Sequence, residues 1–157
     1  MQGPLYSFGD EGINQVMFTL HNKLQDDTVE ITSLALSRVL LMNDSSFPWL
    51  ILVPAREGMR EIHELVIADR SVLIEEVAAA SEVIQDLFSP DKINVGALGN
   101  LVPQLHIHII GRFRTDRAWP GSVWGSGTAR PYSEEELKVV AVRIRKAFQQ
   151  KDRAHDR

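Results

Sequence analysis

Two histidines one residue apart, His106 and His108, stand inside the run Pro103-Gln-Leu-His-Ile-His-Ile-Ile-Gly-Arg112. From Gln104 to Ile109 polar and apolar residues alternate strictly, the period of a strand with one buried face. Leu105, Ile107 and Ile109 are then expected in a core, with Gln104, His106 and His108 in a row on the opposite face. A neutral imidazole can attack an electrophile or take a proton near neutral pH, and polar neighbours can hold its tautomer. Two other readings fit the same residues. His-x-His on the outer side of an amphipathic strand is also ordinary surface composition. Two imidazoles on one strand face can instead share a divalent ion. That needs a third ligand, and the chain has no Cys and only His21, His63 and His155 besides. An Asp or Glu could complete such a site, so a metal is possible but disfavoured, and no cofactor is expected.

The elements that must position this strand are partly legible. Leu34 to Met42 reads as a strand, Asn43-Asp-Ser-Ser46 as a turn, and Phe47 to Val53, apolar on both faces and closed by Pro54, as an antiparallel partner. Asp44 on this basis is a plain turn residue. Residues 69 to 89 form the clearest helix, with Leu73, Val77, Ala80, Ile84, Leu87 and Phe88 at helical spacing and Glu75, Glu76, Glu82 and Asp86 on its wet side. Asp69 can cap its start and Ser89-Pro90 ends it. Lys92 to Ala97 reads as a short strand, followed by a bend containing Gly99 and Asn100. Small residues there let backbone N–H groups approach an anion, although a plain connection uses the same residues.

Beyond the histidine strand, Arg112, Arg114 and Arg117 concentrate positive charge. They suit a phosphate, but arginines at a solvated strand end are commoner than phosphate clamps. Trp119 and Trp124 lie in a structured loop that fits either an aromatic lid or packing at a subunit interface. Ser133 and Glu136 have capping-box spacing at the head of a last helix over 133–149, whose stripe is Leu137, Val140, Ala141, Ile144, Ala147 and Phe148. Residues 16–30 fit a short strand or a helical turn equally well. Strands near 34–42, 47–53, 92–97 and 103–113 with two principal helices make an α+β domain on a mainly antiparallel sheet.

The 157 residues suit one domain, with residues 1–15 a loosely ordered lead-in and 150–157 a frayed charged tail. Hydrophobic content of 44% and charged content of 24% are those of a globular protein in water. A net charge of −4 without a basic patch argues against nucleic acid as partner. The lack of Cys, of a leader pattern and of a membrane-length apolar stretch points to the cytoplasm and away from membranes.

Gln104-Leu-His106-Ile-His108-Ile-Ile110 resembles the signature of the histidine triad (HIT) family, His-φ-His-φ-His-φ-φ with φ apolar, with Gln in place of the first histidine. Asn94, Gly96, Gly99 and Asn100 resemble the approach to that strand in the family. Asn43-Asp44 and Phe47-Pro-Trp49-Leu-Ile-Leu-Val-Pro54 resemble its Asp, strand and closing Pro. The likeness covers roughly residues 34 to 113. It implies a HIT-like sheet of about five strands, a homodimer, and a nucleotide or dinucleotide as substrate. It implies that His106 attacks an α-phosphate to give a nucleotidyl-histidine, with His108 and Gln104 assisting. It also implies that Asp44 contacts a ribose, and that Asn94, Gly99 and Asn100 help bind substrate; Arg112 joins them as a substrate-binding candidate from its charge alone. The activity would be hydrolysis or nucleotidyl transfer at a phosphoanhydride or phosphoramidate bond. A nucleotide-binding or regulatory protein with little turnover is the alternative, because Gln104 cannot carry a proton and Leu101 stands where relatives often have Ser or Thr. Trp49 and Glu57 likewise stand near places where relatives often carry histidine.

Overall fold

Trp49-Leu-Ile-Leu-Val-Pro54 is apolar at every position, and a strand so composed must be covered on both faces. The computed structural model, which describes residues 18–155, places it third in a five-stranded sheet. The elements run α1 (Asn22–Asp27), β1 (Thr28–Ser33), β2 (Ser37–Met42), β3 (Trp49–Pro54), α2 (Ile67–Phe88), β4 (Lys92–Gly96), β5 (Ile107–Arg112) and α3 (Glu134–His155). The sheet order is β1-β2-β3-β5-β4, with every neighbouring pair antiparallel. The expected α+β architecture is therefore the observed one.

Alternation along the central strands divides the buried residues between two faces. Val39, Leu41, Leu50, Leu52, Ile107 and Ile109 face α2 and α3 and make the larger core. Leu40, Trp49, Ile51, Val53 and Ile110 face the other way, where Leu20, Leu24, Phe47, Val102 and Val123 cover them. That second cover consists of loops and one short helix, so it leaves room for a cavity. Ile51 pairs with His108 across β3 and β5, which puts His108 on this second face.

Several boundaries differ from the sequence reading. β5 begins at Ile107, not Pro103, because Leu105 N donates instead to Met59 O at 2.9 Å. Residues 22–33 hold both a helix and a strand, and β1 pairs with β2 through a register shift between Glu30 and Thr32. Asp69 does not cap α2; its carboxylate takes two hydrogen bonds from Arg56, at 2.7 and 3.0 Å. Glu76 is not on the wet side. It is buried, and its Oε1 accepts from Leu36 N at 2.7 Å and Ser37 N at 3.4 Å, clamping the β1–β2 turn. The capping box at Ser133 and Glu136 forms as expected. α3 continues to His155, and Lys151 Nζ bridges Glu82 and Asp86 at 2.8 and 3.3 Å. The expected lead-in over residues 1–15 lies outside the described residues.

Candidate active site

A cavity of about 810 Å³ opens on the second face of the sheet. Its floor is Trp49, Ile51, His106 and His108; α1, the 98–102 bend, Arg117 and the 123–131 loop make the walls. Both histidines are 6% exposed, so the two rings line a pocket and do not stand on open surface. Their centroids are 4.9 Å apart, edge to face.

Hydrogen bonds assign the tautomer of each ring. His106 Nδ1 lies 2.7 Å from the carbonyl oxygen of Gln104. A carbonyl only accepts, so Nδ1 carries the proton and Nε2 of the neutral ring keeps its lone pair. In His108 the order is reversed. Trp49 Nε1–H donates to His108 Nδ1 at 2.9 Å, and an indole nitrogen only donates. The proton of neutral His108 therefore sits on Nε2. Burial, and after it the nearby charge of His106, pushes the His108 pKa down from 6.5 to about 3. His108 is thus a fixed neutral donor, and His106 a ring with a free lone pair.

Asp44 is 2% exposed and lines the same cavity. Its Oδ1 accepts from Ser46 N at 3.0 Å and Arg130 N at 3.2 Å, and its Oδ2 from Arg117 Nη2 at 3.0 Å. Burial alone would raise its pKa, but these hydrogen bonds together outweigh it and hold the carboxyl below its usual value. The Arg117 guanidinium also lies over the Phe47 ring, 4.7 Å from its centroid. Gly99, at φ +76°, takes a conformation that favours glycine, and it turns the chain along the cavity wall with Asn100. Gly96 is required by close approach: a Cβ there would stand 2.9 Å from Trp124 Cη2. Trp124 in turn packs edge-on against His108, with centroids 5.3 Å apart.

The family model for the HIT domain matches residues 23–115. The chain belongs to the HIT family. A histidine triad protein from Marinobacter aquaeolei is 47% identical, with 85% of this chain and 98% of that one covered and a TM-score of 0.83. One from Sinorhizobium meliloti is 44% identical, covering 83% and 96%, with a TM-score of 0.81. The diadenosine triphosphate hydrolase of Plasmodium falciparum, at 17% identity, shares the fold, covering 80% and 78% with a TM-score of 0.57. None of the curated proteins compared with the chain matches it.

Within this HIT domain the expected site residues do not all converge. His106, His108, Asp44, Gly99 and Asn100 line one cavity. Gln104 does not stand in a row with the histidines. Its side chain turns to the segment before α1, accepting from His21 N at 2.9 Å and donating to Thr19 O at 2.9 Å. Only its carbonyl serves the site, through His106. Arg112 and Asn94 are also held away from the cavity. Arg112 is 2% exposed, donates to both oxygens of Asp116 at 2.8 and 3.0 Å, and reaches Asn94 Oδ1 at 2.7 Å. Its guanidinium is thus engaged in an internal ion pair, outside the cavity lining. Of the other two arginines, Arg117 lines the cavity, and Arg114 is exposed beside Asp91. The two tryptophans part company: Trp124 lines the cavity, and Trp119 lies near the Arg112 guanidinium.

Trp49 is a residue whose hydrogen bond to His108 is not read from the sequence. Its place on the same face of β3 as Ile51, the partner of His108, is the signal that could have found it. Lys23, which pairs with Asp27 at 2.8 Å on the α1 wall, carried no such signal. Among the described residues no group of three or more His, Cys, Asp or Glu is placed to hold a metal ion.

Proposed function

We propose that the protein cleaves nucleotides at the α-phosphate, through a covalent nucleotidyl-histidine on His106. The observation that carries this reading is the 2.7 Å hydrogen bond from His106 Nδ1–H to the Gln104 carbonyl. It keeps the proton off the ring nitrogen that must attack, and it stabilises the positive charge the ring acquires when Nε2 bonds to phosphorus. Electrons from the bond between phosphorus and the leaving oxygen depart with the leaving group. In the second step water or another acceptor attacks the same phosphorus, the N–P electron pair returns to Nε2, and the proton given up by an attacking water passes to solvent. His108, with its proton fixed on Nε2, donates to a phosphate oxygen and does not exchange that proton. Backbone N–H groups near Gly99 and Asn100 face the developing charge, and Asp44 reads the ribose. A hydrolase acting on a diadenosine compound with the same fold is consistent with this reading. In the expected homodimer, the substrate is a nucleotide or dinucleotide bound in the cavity.

The alternative, a nucleotide-binding protein with little turnover, has Leu101 in its favour, since an 85% exposed apolar side chain on the cavity wall offers no hydroxyl to the substrate. Intact-mass spectrometry under denaturing conditions separates the two. After brief incubation with an activated aryl ester of adenosine 5′-monophosphate, a gain of one adenylyl group that His106→Ala abolishes supports the enzyme. Saturable binding with no mass gain and no turnover supports the alternative.

A further inference from the structure

Resting on the nucleotidyl-histidine reading, we propose that this site is selective for phosphoanhydrides, whose leaving group departs as a phosphate anion, over phosphoramidates, whose amine must be protonated to leave. Phosphoramidate cleavage needs a proton donor within reach of the departing nitrogen, and among the described residues each ionisable group on the cavity wall is unsuited to that task. His106 is the nucleophile, and its one proton is bound to the Gln104 carbonyl. His108 is neutral, and its Nδ1 accepts from Trp49, so protonating it would set N–H against N–H. Asp44 is hydrogen-bonded at both oxygens and held ionised, with Arg117 on it as a permanent cation. On α1, the ammonium of Lys23 is bound to Asp27, whose hydrogen bond and charge raise its pKa and make it a poorer acid. Asp26 is a solvent-exposed carboxylate beside them. The carboxamide of Gln104, which has no acidic proton to give, is turned away to Thr19 and His21.

The same walls suit an anhydride. A phosphate leaving group needs no proton: the P–O electron pair goes to the bridging oxygen and the negative charge spreads over the departing phosphate. Arg117, and the fixed Nε2–H of His108, can meet that charge without changing protonation state.

The test holds the nucleoside constant and varies only what leaves. Wild-type protein is mixed with diadenosine tetraphosphate, with an adenosine 5′-(N-alkyl)phosphoramidate, and with aryl adenosine 5′-monophosphate esters of graded phenol acidity; adenylyl-protein formation is followed by rapid quench and intact mass. General acid catalysis is worth roughly 10²–10⁴-fold, so the anhydride is expected to react at least about 100-fold faster than the phosphoramidate. The ester rates are expected to fall steeply as the phenol becomes less acidic. A phosphoramidate reacting within about tenfold of the anhydride, or a flat ester series, overturns the selectivity and leaves the covalent mechanism intact. No adduct from any compound removes the proposed function, and this inference with it.

Discussion

Trp49 and His108 are joined side chain to side chain across β3 and β5, indole Nε1–H to imidazole Nδ1 at 2.9 Å, in a buried setting. The bond lets a residue that cannot titrate decide the tautomer of one that can. Replacing Trp49 by Phe leaves the imidazole nitrogen without its donor and opens space beside it. We expect a loss of about 2–4 kcal/mol in urea unfolding, from an unsatisfied buried acceptor plus the lost packing. Nitrogen-15 NMR of the imidazoles should show His108 as the pure Nε2–H form in wild type and as a mixture in Trp49→Phe. An unchanged His108 spectrum in the variant would show that the indole does not set the tautomer.

Acid should destabilise the fold through the same ring. The folded protein resists protonating His108 until about pH 3, and the unfolded chain accepts that proton near 6.5. Between those values the unfolded state binds more protons, so stability rises with pH: this contribution is fully present above 6.5 and is lost as the pH falls towards 3. The slope from this one group approaches roughly 1.4 kcal/mol per pH unit. Urea titrations from pH 6.5 downwards should give a shallower slope for His108→Asn than for wild type. Equal slopes would mean that His108 accepts its proton in the folded state as readily as in the unfolded one.

Arg112 and Asp116 are 2% and 4% exposed and paired through two hydrogen bonds. Burial would raise the Asp116 pKa, but the Arg112 guanidinium and the N–H groups of Phe113 and Ala118 bring it down to about 2. Removing one partner leaves an uncompensated buried charge, so Arg112→Met should cost about 3–5 kcal/mol in unfolding experiments. The double variant Arg112→Met, Asp116→Leu should recover part of that loss. Nucleotide affinity of folded Arg112→Met, measured by calorimetry, should stay close to wild type, because the side chain is outside the cavity lining. A large loss of affinity in folded protein would return Arg112 to the substrate.

Gln104 holds Thr19 O and His21 N through its side chain and His106 through its carbonyl. Gln104→Ala keeps the carbonyl and removes the side-chain tie. It should lower stability by about 1–2 kcal/mol, in line with two lost hydrogen bonds. The rate of adenylyl transfer to His106, read by rapid quench, should remain near that of wild type. A loss comparable with that of His106→Ala would make the carboxamide itself catalytic.

How far the sequence revealed this arrangement varies by element. The alternation of Leu105, Ile107 and Ile109 located the core face of β5, and it put His106 and His108 together on the other. It fails at Gln104, whose side chain, beyond the end of the ladder, is drawn to Thr19 O and His21 N. The row of three was therefore a pair. Glu76 was misplaced for a related reason: its partners, the N–H groups of Leu36 and Ser37, are 40 and 39 residues away, and helical spacing knows nothing of a turn packed on it. Arg112 looked like a phosphate ligand because charge is visible in a sequence, whereas the Asp116 that neutralises it acts only once the loop folds back. β1 is not separable in the sequence from a helical turn over residues 16–30, since a strand with one fully buried residue carries a weak pattern.

The central claim is that His106, with its other nitrogen held by the Gln104 carbonyl, is the atom that bonds to phosphorus. The most direct measurement is tandem mass spectrometry of the peptide spanning Gln104 to Arg112, from protein quenched during turnover of an adenosine 5′-monophosphate ester. The account predicts fragment ions that carry the added adenylyl mass on His106 and none on His108. Adenylyl mass on His108, or no modified peptide while substrate is being consumed, would contradict it.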